Sequence, residues 1–251
     1  MRAGAKASTT PYGAIGQPGA SAANRVDAKT IRAFRRRVLR WGEHNGGAYP
    51  WRKSRSLYRI LVSEFMLHRT QASQVVPVYR AFVAEYPNLD VSVQADIRRQ
   101  RRLLGPLGLY WRSEGMLKAL RALWIDHRGV PADYDRLLAV EGIGPYIAGA
   151  IVCFSKNVPV ALVDANTVRV VGRTMGLMLQ GEARRRKEMR ETIGDLCDPS
   201  RPREYYYAMI DLAHNVCRPR QPECRICPLL SLPCQYGQKV MAPQRRRAEA
   251  K

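Results

Sequence analysis

The sequence of 251 residues contains no long apolar run. No segment approaches the roughly 18 consecutive apolar residues of a membrane-spanning helix, and the N-terminus lacks the apolar core of a secretory signal. Internal repeats are absent, and the alternating pattern typical of strands is weak throughout. We therefore expect a helical cytoplasmic protein with no membrane partner.

Acidic residues are scarce. Asp and Glu total 21 against 42 Lys and Arg, which gives a formal net charge of +21, whereas solubility needs a charge of only about 2–8. A surface this basic attracts polyanions, so nucleic acid is the favoured partner, and a generally basic proteome or solvated tails are the alternative. Residues 1–24 contain no acid and are predicted to be a disordered tail, or less simply a transit peptide. Residues 237–251 are predicted to be a second basic tail.

Helical periodicity dominates the rest of the chain. Helices are predicted over residues 27–44, 56–68, 72–85, 113–127, 185–196 and 203–216. A shorter helix is predicted to follow an N-cap at Asp133 and to end near Val140. Residues 105–109 are rich in Gly and Pro and are predicted to form a loop. These patterns indicate an all-α fold.

Glu141-Gly142-Ile143-Gly144-Pro145 separates two of these helical stretches. The two glycines permit a tight turn, and Pro145 suits the first position of the following helix. The backbone N–H groups of such a turn, beside a helix N-terminus, can bind an anion such as a DNA phosphate. An ordinary turn between helices explains the same residues about as well.

Cysteine is concentrated in one region. Six cysteines occur, and four lie within 18 residues in the pattern C-x6-C-x2-C-x6-C: Cys217, Cys224, Cys227 and Cys234. In an intracellular chain this grouping favours a metal site over disulfides. Thiolates suit either iron–sulfur or zinc. Zinc sites more often use two close pairs, so spacing alone places iron–sulfur slightly ahead.

Several segments together resemble one protein family. Residues 138–150 resemble the helix-hairpin-helix of the endonuclease III superfamily of DNA glycosylases, and residues 163–170 resemble the segment that carries its catalytic aspartate. Residues 49–52 and 63–71 resemble the opening helices of its MutY and Mig branches. The resemblance implies an all-α fold of two lobes. A six-helix barrel lobe would span residues 47–159, and a cluster lobe would combine residues 25–46 with 160–236.

The same resemblance implies that the four cysteines hold a [4Fe-4S] cluster with a structural role. The family pattern has five residues before the last cysteine, whereas this chain has six before Cys234.

Two carboxylates are candidate catalytic residues. Asp164 precedes a helical stretch, which by itself indicates a helix N-cap. The resemblance makes it the carboxylate that stabilises positive charge on the sugar as the base leaves. Glu64 lies four residues after Ile60 on the buried stripe of its helix, either paired with a buried arginine or held at a functional cleft. By resemblance it protonates the departing base or positions water.

Tyr146 stands where bifunctional members carry a catalytic lysine. Without that amine, Schiff-base chemistry is not expected, and the resemblance implies a monofunctional glycosylase; helix packing is the alternative role for this side chain. The resemblance implies further DNA contacts. The hairpin residues Gly142, Ile143 and Gly144 would contact the backbone. Arg69 and Leu109 would enter the duplex, and Gln71 would contact it beside Arg69.

Thymine or uracil opposite guanine is the favoured substrate. Asp164-Ala165-Asn166 reads as in Mig-type thymine glycosylases, whereas MutY usually has Asp-Gly-Asn. The C-terminal domain of MutY is expected to be absent, although Gln71 is typical of MutY. An adenine glycosylase and a non-catalytic damage sensor stay open. The expected partner is mismatched double-stranded DNA, bound by a monomer at the nucleoid.

Overall fold

The computed structural model describes residues 26–108 and 110–241, and every regular element in those ranges is helical. The all-α prediction is confirmed. The helices are α1 (Ala28–Asn45), α2 (Leu57–Leu67), α3 (Ala72–Glu85), α4 (Leu89–Gln94), α5 (Ile97–Leu104), α6 (Tyr110–His127), α7 (Tyr134–Leu138), α8 (Pro145–Lys156), α9 (Ala165–Met175), α10 (Lys187–Leu196), α11 (Pro202–Asn215) and α12 (Gln235–Met241). Within the described ranges, no helix is both long and apolar enough to cross a bilayer.

Two compact units divide the described residues. Gly47–Val160 forms the first, and residues 26–46 together with 161–241 form the second. The first unit contains α2 to α8, and the second contains α1 and α9 to α12. The N- and C-terminal parts of the second unit are thus joined in space although more than a hundred residues separate them.

The core of the first unit is built around α2. Ser56 caps its first turn by accepting a hydrogen bond from the Arg59 N–H, and every residue from Ile60 to Met66 is buried. α2 packs against α3, α6 and α8. A helix apolar on most faces must be surrounded by others, so α2 is the central element of this unit.

In the second unit α1 packs along α11. The two backbones approach closely at Gly42, where an added Cβ would lie 2.4 Å from the Ala208 Cβ. Tyr205 and Tyr206 of α11 are fully buried, and the Tyr206 hydroxyl accepts a hydrogen bond from the Leu162 N–H at 3.1 Å. This bond anchors the segment that leads into α9.

Two sequence expectations need correction. Residues 237–241 were expected in a basic tail, but they belong to α12. This helix packs on α9, where the ring of Tyr236 lies 4.2 Å from the Arg173 guanidinium. Residues 105–107 of the expected loop form a single 3-10 turn, Gly105–Leu107, with Pro106 in its first turn. The expected tail 1–24 and residues 242–251 lie outside the described residues.

Candidate active site and nucleic-acid interface

Asp164 is the N-cap of α9. Its Oδ1 accepts hydrogen bonds from the backbone N–H groups of Asn166 (3.0 Å) and Thr167 (2.8 Å). In return, the Asp164 N–H donates to the Thr167 hydroxyl at 3.0 Å, which completes a capping box. The expected cap is confirmed. The carboxylate is half-buried, so the box fixes it in one orientation while part of it stays accessible.

A second set of bonds extends from Asp164 along α9. The Asn166 side-chain N–H donates to Asp164 Oδ2 at 2.8 Å, and Asn166 Oδ1 accepts from Arg169 Nη2 at 3.1 Å. Arg169 in turn donates to the carbonyl oxygens of Cys217 (2.8 Å) and Ala213 (3.0 Å). Burial lowers the pKa of Arg169 from its ordinary value, but an arginine stays charged at neutral pH. The carboxylate is therefore linked through two side chains to the loop that begins at Cys217.

The four predicted ligand cysteines lie around one cavity of the second unit, which is also lined by α9 and α12. Hydrogen-bond donors face two of the sulfurs. Gly237 N–H lies 3.4 Å from Cys234 Sγ, and Arg173 Nη1 lies 3.5 Å from Cys217 Sγ. Such donors stabilise a thiolate. All four cysteines thus line one cavity, and thiolates are soft donors whose chemistry fits an iron–sulfur cluster or zinc.

Burial makes two thiols of this cavity weaker acids, so each holds its proton more readily. Burial raises the pKa of Cys227 to about 11 and raises the pKa of Cys224 above its ordinary value. A metal or cluster that binds here must displace these protons. Among the described residues, no three His, Cys, Asp or Glu side chains are gathered closely enough to surround one metal ion.

Glu64 is buried in α2, with 7% of its surface exposed, as its spacing from Ile60 predicts. A buried carboxylate is costly without partners, and Glu64 has an interaction partner in the structure. Tyr146 is half-buried in the first turn of α8, and α8 packs against α2 within the first unit. The catalytic roles of both residues stay predictions.

The hairpin turn lies at the N-terminus of α8. Gly142 has φ +87°, a conformation that favours glycine, and Gly144 is the N-cap; both are exposed. Ile143 differs from the expectation. Its side chain is buried, and its N–H donates to the Val140 carbonyl at 3.0 Å, so neither group faces an anion. The buried Ile143 side chain anchors the turn, and the two glycines form its exposed surface.

Arg69 and Gln71 lie in the exposed segment between α2 and α3. Arg69 adopts φ +62°, which is uncommon for a residue with a Cβ, and Gln71 is the N-cap of α3. Leu109 lies outside the described residues. The sequence did not single out Asn166, Arg169 or Arg173 for any role. Asn166 could have been found from the sequence, because it lies only two residues after Asp164, to which it bonds. Arg169 and Arg173 could not, because they bond to residues more than 40 positions away.

Residues 127–154 match the family model for the helix-hairpin-helix motif, and this range includes Gly142, Gly144 and Tyr146. The chain is 31% identical over 221 residues to a thymine-DNA glycosylase of Aeropyrum pernix, covering 84% of this chain and 98% of that protein. It is 33% identical over 195 residues to an adenine DNA glycosylase of Mycolicibacterium smegmatis, covering 76% of this chain and 66% of that protein.

Solved structures show the same fold. A thermostable thymine-DNA glycosylase superposes with a TM-score of 0.76 at 28% identity, over 84% of this chain and 98% of that one. Endonuclease III in a non-covalent DNA complex superposes with a TM-score of 0.72 at 20% identity, over 86% of this chain and 99% of that one. The helix-hairpin-helix glycosylase fold expected from the sequence is confirmed by these likenesses.

Proposed function

Because the chain belongs to the helix-hairpin-helix superfamily of DNA glycosylases, we propose that it hydrolyses the N-glycosidic bond of thymine or uracil opposite guanine in double-stranded DNA. The observation that carries the proposal is Asp164, a half-exposed carboxylate fixed by three N–H donors at the start of α9. The choice of base rests on similarity to a thymine-DNA glycosylase over almost its whole length.

In the proposed reaction the bond between the sugar and the base breaks as positive charge develops on the sugar. The Asp164 carboxylate stabilises that charge, and because its orientation is fixed beforehand, little reorganisation is needed in the transition state. Glu64 delivers the proton that the departing base requires, or holds the water that adds to the sugar. Tyr146 offers no amine for a Schiff base, so the product is an abasic site with an unbroken strand.

Binding to DNA is proposed to use the exposed turn at Gly142 and Gly144, whose backbone would contact a phosphate beside the N-terminus of α8. Arg69, Gln71 and Leu109 would contact the duplex near the extruded nucleotide. A monomer suffices for this arrangement.

We propose that Cys217, Cys224, Cys227 and Cys234 hold a [4Fe-4S] cluster. When bound, the cluster would cross-link the segment between α11 and α12, which holds all four cysteines, and it would take no part in the hydrolysis. The protein should then purify brown, with iron and sulfide in equal amounts. A colourless protein with one zinc per chain would contradict this assignment.

The substrate is tested by incubating the protein with duplexes that contain G·T, G·U, G·A or 8-oxoG·A, and then cleaving abasic sites with alkali. Release from G·T and G·U alone is the expected result. Release from the adenine duplexes would favour the second candidate, an adenine glycosylase, which the 33% identity to one such enzyme supports. Binding without release from any duplex would indicate a damage sensor. Strand breaks before alkali would contradict the monofunctional mechanism.

A further inference from the structure

Two large aromatic side chains are exposed at the start of α6, Tyr110 (66%) and Trp111 (57%). They differ in their surroundings. Tyr110 lies one helical turn before Glu114, whose carboxylate accepts two hydrogen bonds from Arg101, at 2.6 and 2.7 Å. The Trp111 ring meets the His68 ring edge-on at 6.0 Å between ring centroids. One face of a large indole is thus presented to solvent, and exposed apolar surface of this kind commonly marks a binding site.

The backbone that carries Trp111 is held by the next residue. Arg112 is 3% exposed, and its Nη1 donates to the His68 carbonyl and to the Thr70 hydroxyl. Its Nη2 donates to the carbonyls of Leu107 (3.3 Å) and Gly108 (3.5 Å). One guanidinium therefore ties the segment after α2 to the segment before α6. The paired loops are defined as residues 68–71, residues 107–108 and the first two residues of α6, Tyr110 and Trp111.

The paired loops combine an aromatic face with a cation. Arg69 is exposed, and the residues on either side of it, His68 and Thr70, are both bonded to Arg112. An indole beside an arginine matches the two parts of a nucleotide, since a base stacks on the ring and a phosphate attracts the guanidinium. Because Arg112 fixes both loops before binding, little conformational entropy is lost when DNA arrives.

We propose that Trp111 stacks on a nucleobase that has lost its pairing partner, and that Arg112 is the positioning residue that holds Trp111 and Arg69 for this contact. The proposal rests on the proposed action on DNA. A base whose partner has left the helix exposes a π-face, and an indole can cover it whatever the base's identity. The contact would favour DNA with an unpaired base over fully paired DNA.

The test measures binding to a duplex with a stable abasic analogue opposite guanine, and to the fully paired duplex of the same sequence. Trp111→Ala is expected to weaken binding to the abasic duplex by about 5- to 150-fold, with a much smaller effect on the paired duplex. Trp111→Phe retains an aromatic face and should recover most of the lost affinity. The matched control is Ile125→Ala, which removes a 70% exposed apolar side chain from the same helix and should bind as wild type does.

Tryptophan fluorescence gives an independent reading, since a stacked base quenches an indole. Wild-type fluorescence should fall when the abasic duplex is added, and most of that change should be lost in Trp111→Ala. Thr70→Val, which removes one acceptor of Arg112 from a half-buried position, should reduce the quenching without unfolding the chain. Trp111→Ala binding within about twofold of the Ile125→Ala control, or fluorescence that does not change on binding, would overturn the proposal. Neither duplex contains a base to excise, so failure of the glycosylase assay would leave this result standing.

Discussion

At Asp164, the cap and the proposed chemistry can be separated by one substitution. Asparagine is as good an N-cap as aspartate, so Asp164→Asn keeps an oxygen for the Asn166 and Thr167 N–H groups while it removes the negative charge. We expect the free energy of unfolding to change by less than about 1 kcal/mol and single-turnover base release to fall by at least about 100-fold. Binding to a mismatched duplex should persist. Urea unfolding and a quenched excision assay measure the two effects, and near wild-type release would remove Asp164 from the mechanism.

How far individual residues can be predicted depends on how local their partners are. The cap at Asp164 and the burial of Glu64 follow from neighbours within four positions, and both are found. Arg169 and Arg173 could not be predicted, because their partners Ala213, Cys217 and Arg218 are adjacent only in the folded chain. The burial of Ile143 was missed because a Gly-x-Gly turn does not indicate which way its middle side chain points.

Among the helices, α9 connects the candidate catalytic carboxylate with the cysteine loop. Arg173, two turns from Asp164, donates to the carbonyls of Arg218 (2.7 Å) and Pro219 (2.9 Å) and is 8% exposed. Arg173→Met removes the donor of these two part-buried carbonyls and should lower the free energy of unfolding by about 1–3 kcal/mol. The metal content per chain should fall with it.

The control for this variant is Arg190→Met, which changes an exposed arginine of α10 and should leave both quantities unchanged. Arg173→Lys keeps the positive charge but not the two guanidinium nitrogens that reach both carbonyls, so an intermediate loss of unfolding free energy is expected. Equal unfolding free energies for Arg173→Met and Arg190→Met would mean that the guanidinium does not hold the loop. Chemical denaturation and metal analysis of the purified variants give the two numbers.

The helices with an apolar stripe were predictable, and those without one were not. The predicted ranges 27–44, 56–68 and 72–85 differ from α1, α2 and α3 by at most one residue at each end. α5 was missed because its buried face includes Gln100, which bonds to Ser92, so its apolar period is incomplete. α4 has only six residues, with the alternating pattern of a strand. Its helical state is set by the Asn88 cap and by packing against α6.

For the whole molecule, the excess of basic residues predicts a strong dependence of DNA binding on salt. Part of that excess is ordered on α1, where Arg32, Arg36 and Arg40 are exposed at intervals of four residues and line a groove together with Arg201. Residues four apart share a helix face and lie about 6 Å from one another along the axis. This arginine stripe could therefore contact successive phosphates.

If each arginine of the stripe contacts one phosphate, changing all three to glutamine removes three phosphate contacts. About three fewer counterions are then released from the DNA on binding. The slope of log Kobs against log salt concentration should then become shallower by about 2.7, at about 0.9 per contact. Changing the same three residues to lysine keeps the charges and should leave the slope at its wild-type value. Titrations of an undamaged duplex between about 50 and 200 mM salt cover the range in which such contacts alter affinity most. An unchanged slope in the glutamine variant would mean that the stripe lies away from bound DNA, and that the basic charge acts through other surfaces such as the paired loops.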